Sequence, residues 1–407
     1  MTAQRSKIAP INVADPRYFR ENTWGPIFAK LRREDPVHFT PESPYGPYWS
    51  VTKYDDIVEV NVDYTNYSSK TELGGIMIND LPKNAARESF IRMDPPDHTA
   101  KRKVIAPIVS PTNLANMEGL VRERTGMVLD GLPHKETFDW VEEVSTPLTT
   151  MMLATLMDFP WEDRDKLTWW GDVIICNVNA PDAIIKSEEE RLKHFGEMTA
   201  YFRTLWDQRS KEPPKSDLIS MMAHSESNQN MTPMEFLGTL TVLISGGTET
   251  TRNTMSAALM GLTDNPEQYE LLRSRHDLVP SLVSEAVRYH SPQLHLRRTT
   301  TADVELNGTK IPKGSKVVMW YISGNRDEEK IEDPDSFRID RAKPRQHIAF
   351  GSGIHRCIGE RVAELQLRIL WEEVLKRDMR LEVVGPPKRL ESNLIHGVLS
   401  LPARIAN

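Results

Sequence analysis

Apolar and polar positions alternate with a helical period through the middle of the chain. In Thr232-Pro-Met-Glu235 a threonine can cap a helix, proline takes its first position and a glutamate can bond back to the cap. From Phe236 to Leu262 there is no proline, and as far as Ile244 the pattern is apolar on nearly every side. Such a segment predicts a helix buried through a core. A second helix is expected over Ile358–Lys376, where Val362, Leu365, Ile369 and Leu370 form one stripe with charges opposite. Strand signals are shorter and cluster late. Asp303–Gly308 and Lys310–Gly314 read as a hairpin, Lys316–Tyr321 as a third strand, and Trp49–Thr52 as part of a small sheet. The polar stretch Gln208–Asn230 reads as a surface excursion. The pattern predicts a mainly α chain with small β-sheets (α+β), residues 1–407 forming one large domain.

Composition narrows the function classes. With 39% apolar and 27% charged residues in 407, the chain can bury a large core. A net charge of −7 argues against a nucleic-acid partner, since nothing would neutralise a run of phosphates. No stretch of about 20 apolar residues could span a bilayer. Met1–Pro10 lacks the apolar run of a signal peptide. The two cysteines, Cys176 and Cys357, exclude a disulfide framework and fit a cytoplasmic, reducing compartment.

Chemistry concentrates around Cys357. Phe350-Gly-Ser-Gly-Ile-His-Arg-Cys357-Ile-Gly359 precedes the second helix. Its glycines let the backbone turn tightly and approach a flat ligand closely. The helix start offers free amides that favour a thiolate able to bind iron. Cys176, with no such setting, reads as an inert core residue. The pair Gly246-Gly247 lies inside the long helix, where each glycine is unfavourable by about 1 kcal/mol relative to alanine and so needs a reason.

The spacing of Phe350, Gly353, Cys357 and Gly359 resembles the haem-binding loop of the cytochrome P-450 family. That resemblance implies the family's fold, with haem b between the long central helix and the cysteine loop. Cys357 becomes the ligand of the iron, and Phe350, Gly351 and Gly359 contact the cofactor. It also implies propionate partners at His98, Arg102, Arg298 and His355, and a buried structural triad of Glu285, Arg288 and Arg341. Glu249 and Thr250 match the acid–alcohol pair that handles dioxygen and its protons. Gly246–Asn253, Val318–Glu328 and Glu360–Glu373 resemble the bacterial alkane-hydroxylating branch, which oxidises terminal carbons of medium-chain alkanes.

A monooxygenase of that kind hydroxylates a nonpolar small molecule with O2. Its electrons come from an iron–sulfur ferredoxin and an NAD(P)H-dependent ferredoxin reductase. Lys343, Arg345, Arg356 and Arg361 are the candidate basic docking face. By position the substrate pocket takes Gly74–Ile78, with Ile76, and Leu243, Gly247, Leu294, Leu296 and Val398. His295 and His396 are its polar exceptions. Terpenes or fatty acids remain alternative substrates. A peroxide-driven hydroxylase or a non-catalytic haem-thiolate sensor or carrier would not need the Glu249–Thr250 pair.

Overall fold

A computed structural model describes residues 8–80 and 88–406. The long helix runs from Pro233 to Asp264, and its start forms as the sequence predicts. The Glu235 amide donates to Thr232 Oγ1 at 3.2 Å, and the Thr232 amide donates to the Glu235 carboxylate at 2.8 Å. Helices Thr146–Met157, Asp165–Ile175 and Val279–His290 pack along it. Glycine lets neighbours come close: a Cβ at Gly247 would sit 3.0 Å from Leu153 of helix Thr146–Met157, and one at Gly261 would meet the ring of Phe337, in the irregular segment before the cysteine loop, at 2.6 Å. Gly246 has nothing within 4 Å, so its reason is not packing.

The second expected helix spans Glu360–Lys376, two residues later than its apolar stripe suggests, because Gly359 takes the capping position. It packs on helix Pro111–Asp130 through Leu365 and a lattice of ion pairs. In that lattice Arg122 bridges Glu118 and Glu372, and Arg368 bridges the same two carboxylates.

Five strands form the larger sheet, in the order Val37–Thr40, Tyr48–Val51, Lys316–Trp320, His295–Thr300 and Tyr67–Ser68. Only the Tyr48–Val51 and Lys316–Trp320 pair is parallel. The expected hairpin forms as its own two-stranded sheet, Val304–Leu306 against Thr309–Ile311. Lys316–Trp320 does not extend that hairpin; Gly314, at φ +79°, turns the chain into the larger sheet.

Two large apolar clusters lie on the long helix. One holds Trp140, Met255, Leu259 and Trp371; the other holds Leu153, Trp170, Phe202 and Ile244. Part of the stretch expected at the surface joins the second cluster. Leu218–Ala223 is a short helix with Leu218, Ile219 and Met222 buried, its apolar run outweighing the polar residues around it. No helix among the described residues is long and apolar enough to cross a membrane.

Behind the long helix, Arg288 donates to Glu285 through Nε at 2.8 Å and Nη2 at 2.7 Å, and Arg341 Nε donates to the same carboxylate at 2.9 Å. Arg288 also reaches the carbonyls of Asn325, Pro334 and Ser336. The cluster therefore fastens helix Val279–His290 to the irregular segment that leads into the cysteine loop.

Candidate active site

The cysteine loop is shaped by backbone that only glycine adopts readily. Gly351 and Gly353 lie at φ +68° and +67°. A Cβ on Gly353 would stand 2.7 Å from the Asn61 carbonyl oxygen, so any side chain there collides with helix Tyr54–Val62. The Cys357 amide donates to the Phe350 carbonyl at 2.8 Å and closes the loop. Burial raises the thiol pKa, while hydrogen bonds from the Gly359 and Glu360 amides pull it down. These are the free amides at a helix start, aimed at sulfur. Cys357 is closed in by protein on its loop side and exposed on the side that faces a cavity.

That cavity, of about 250 Å³, lies between the loop and the long helix. Leu243, Gly246, Gly247 and Thr250 line it from the helix, and Leu296, Phe350, Gly351 and Gly359 from other sides. Gly246 is thus open to the cavity, which is its reason. Leu294, Val398 and the whole stretch Gly74–Ile78, all expected in the pocket, lie elsewhere. Leu294 precedes the strand and packs with Phe19 and Trp320. Val398 belongs to the core with Met255 and Leu259, its amide held by Asn253 Oδ1 at 2.6 Å. Ile76 is buried while its carbonyl accepts the Arg297 amide at 2.8 Å; Arg297 and Lys316 both bind Asp80 and fasten this segment to the sheet. Phe90, Ile91 and Gln293 line the cavity and escaped the sequence reading. An apolar pair ahead of a helix, and a glutamine in an otherwise buried turn, were the available signals.

At one edge gather four groups able to carry positive charge. His98 is 2% exposed and Arg298 1% exposed. The His98 and His355 rings lie 4.3 Å apart. Both ring nitrogens of His98, and Nδ1 of His355, are buried without a hydrogen-bond partner. Arg298 donates only to the Arg297 carbonyl at 2.8 Å and Asn61 Oδ1 at 3.4 Å, and Arg102 to the Arg356 carbonyl at 2.6 Å. None of the four forms an ion pair among the described residues. Burial accordingly lowers the pKa of His98, Arg102 and Arg298, and brings His355 to about 2. Orphaned donors at the edge of an apolar slot, with a thiol facing it, fit a flat metal chelate carrying carboxylates.

Thr250 and Glu249 diverge, as neighbours on a helix must. Thr250 Oγ1 donates to the Gly246 carbonyl at 3.3 Å and lines the cavity. Glu249 is 1% exposed and turns toward helix Asp165–Ile175, where a Cβ on Gly171 would come within 3.2 Å of its carboxylate. It binds Arg252, and Thr248 Oγ1 donates to it at 3.3 Å. Arg252 also donates to Asp172 at 3.0 Å, whose side chain is one-third exposed. Burial raises the Glu249 pKa against the pull of Arg252.

His295 and His396 are buried and serve the framework. His295 Nδ1 bonds the Asn393 carbonyl at 2.7 Å; His396 stacks on His290 at 4.2 Å, and each of that pair bonds the other's carbonyl. On the cysteine loop's outer side, Arg356 pairs with Glu360 and Arg345 with Glu364. Lys343 and Arg361 form no ion pair among the described residues, so half of the expected basic face is already neutralised.

Known proteins share this architecture. The model of the family described as Cytochrome P450 matches residues 185–405. Linalool 8-monooxygenase of Pseudomonas putida is 37% identical over 96% of this chain and 97% of its own length. Methyl-branched lipid omega-hydroxylase of Mycobacterium tuberculosis is 32% identical over 92% of this chain and 89% of its own. The structure of cytochrome P450-153 from Novosphingobium aromaticivorans superposes with a TM-score of 0.90 at 44% identity, covering 97% of this chain and 98% of that one.

Proposed function

The chain belongs to the cytochrome P450 family and is a haem-thiolate monooxygenase; from that premise we propose that it hydroxylates an apolar chain, at or near its end, with electrons from an iron–sulfur ferredoxin. Medium-chain alkanes and related hydrocarbon chains are the substrate class. The observation that carries this is the cavity wall. Among the described residues its ordinarily charged side chains are Arg102 and His355, both in the edge cluster, and the rest of the wall is dominated by Leu243, Leu296, Phe90, Ile91 and their like. Such a wall holds a substrate by shape and by exclusion of water. The relatives named for linalool and for methyl-branched lipids support hydrophobic chains, and the former keeps a terpenoid substrate as a second reading.

Haem b, when bound, supplies the activation of O2, so that one oxygen atom enters a C–H bond and the other leaves as water after two electrons and two protons are taken up. Cys357 holds the iron, and the Gly359 and Glu360 amides fix its sulfur and temper its charge. His98, Arg102, Arg298 and His355 take the propionates, which supply the counter-charge those groups lack. The Thr250 hydroxyl, its proton on the Gly246 carbonyl, presents an oxygen acceptor at the cavity side of the long helix and can turn to pass a proton there. Glu249 exchanges protons behind it, with Arg252 and the half-buried Asp172 leading outward. Lys343 and Arg361 are the cations left to meet an acidic electron donor.

Purified protein, reduced under carbon monoxide and then oxidised and titrated with a medium-chain alkane, tests the assignment. A strongly red-shifted carbonyl band and an alkane-induced low- to high-spin shift are expected. A histidine-type band would remove Cys357 as ligand; a correct band without a shift would remove the alkane and turn the search to terpenoids. Thr250→Ala should keep consuming NAD(P)H while releasing hydrogen peroxide in place of product. Equal product yield per electron in both proteins would remove the role of Thr250.

A further inference from the structure

Among the described residues Gln293 is the one amide in the cavity wall. It follows Pro292 in the turn between helix Val279–His290 and strand His295–Thr300, where its backbone bridges to Ile395. Its Nε2 donates to the His295 carbonyl at 2.8 Å and to the Leu394 carbonyl at 3.2 Å. Both amide hydrogens are spent, which fixes the orientation of the group: exchanging oxygen and nitrogen would set an acceptor against two carbonyl oxygens. Oε1 is left with no hydrogen-bond partner among the described residues, yet it is not sealed off, since it is absent from the buried unpaired atoms. An acceptor of fixed direction therefore stands in a wall made mostly of groups such as Leu243, Gly247 and Leu296. The Thr250 and Thr254 hydroxyls on the long helix already donate to carbonyls of their own helix, and the Thr251 hydroxyl, the third threonine in the wall, can turn to donate or to accept and so imposes no demand of fixed direction.

A hydrocarbon in this cavity would strip water from Oε1 and return nothing, and a carboxylate would bring negative charge to it without a donor. A hydroxyl satisfies it. We infer that Gln293 Oε1 accepts a hydrogen bond from a hydroxyl group carried by the substrate, so that the preferred substrate is an alcohol with an apolar chain, ahead of the bare hydrocarbon or the fatty acid. This rests on the hydroxylase reading above and sharpens its substrate class. It makes Gln293 a specificity residue that orients the chain by its oxygenated group and presents the remaining carbons for oxidation.

Calorimetric titration of the haem-loaded protein with n-octanol, octyl methyl ether and octanoate tests it. The ether keeps the oxygen and the chain and removes only the donor. The wild type should bind the alcohol about five- to tenfold more tightly than the ether, the span expected of one neutral hydrogen bond, with octanoate weaker than the alcohol. Gln293→Leu should bring alcohol and ether within about twofold of each other. Direct ligation of the alcohol by iron would persist in that variant, so it cannot imitate the loss. The variant also gives up two N–H bonds in the turn, and the wild-type comparison stands without it. Equal wild-type affinity for alcohol and ether, an alcohol preference kept in Gln293→Leu, or octanoate binding as tightly as octanol would each overturn the inference alone. Failure of all three to bind would overturn the chain-hydroxylase reading and the inference with it.

Discussion

The molecule holds two clusters of buried charge, one behind the long helix and one at the cavity edge, and they are built on opposite principles. In the first, Glu285 faces Arg288 and Arg341, both guanidinium groups find further carbonyls, and every charge is answered from within the chain. In the second, Arg298, Arg102, His98 and His355 share an edge where, among the described residues, no carboxylate pairs with any of them and three histidine nitrogens lack a hydrogen-bond partner. Burial of charge is costly unless it is compensated, so the first arrangement pays its way within the fold and the second is held in place for something that arrives later. A self-sufficient cluster marks scaffold; a cluster with unmet demand marks a ligand.

The comparison breaks most visibly at Glu285. Glu285→Ala leaves two buried guanidinium groups unanswered, an effect of about 3–5 kcal/mol. The variant should accumulate poorly and unfold at markedly lower urea concentration whether or not haem is loaded. A variant of normal stability that only lost haem would mean that the Glu285 cluster serves the cofactor and not the fold.

These two clusters also show how far sequence alone could reach. The capping box at Thr232–Glu235, the glycine loop before Cys357 and the Glu285–Arg288–Arg341 set are local spacings or family marks, and the fold forms around them. The pocket was less legible because it depends on direction. Leu294 and Leu296 are two residues apart, yet one packs into the N-terminal cluster before the strand begins and the other lines the cavity. Glu249 and Thr250 are adjacent, and the helix separates them by about 100°. Gln293 had no motif to announce it; its meaning comes from two carbonyls, one of them 101 residues away. Contacts between distant segments are set by packing, and no periodicity along one segment reports them.

A second test asks what happens if unanswered charge is forced into the scaffold. His295 and His396 are buried, each with one ring nitrogen on a carbonyl and Nε2 without a partner. Burial lowers both from 6.5 to about 4, with Arg389 and Arg326 adding to the effect at His396. Above pH 6.5 both states are neutral at these sites and nothing is contributed. As the pH falls below 6.5 the unfolded chain takes up protons that the folded chain refuses, so stability declines toward pH 4, by roughly 2–3 kcal/mol per site. Urea midpoints followed from pH 7 downward should show the decline, and His396→Gln should remove about one site's share of it. An unchanged slope would place the acid sensitivity elsewhere.

The subtlest test reverses the usual direction of a mutation at a buried charge. Arg298 is fully buried, and burial lowers its pKa with only Tyr321 and Asp94 opposing. In the cofactor-free protein its cation is a liability, so Arg298→Leu should stabilise that form by about 1 kcal/mol, net of the hydrogen bonds to the Arg297 carbonyl and Asn61 that it gives up. The same variant should lose haem to a scavenging apo-globin about tenfold faster, since a charge-assisted partner of a propionate has gone. Opposite signs in one variant are what separate the two kinds of cluster. At Glu285 the scaffold loses stability with or without cofactor, whereas at Arg298 the fold gains and the cofactor loses. If Arg298→Leu instead destabilised the cofactor-free protein by several kcal/mol, its guanidinium would be a structural tie between the strand and helix Tyr54–Val62, and its unmet charge would not mark a ligand site.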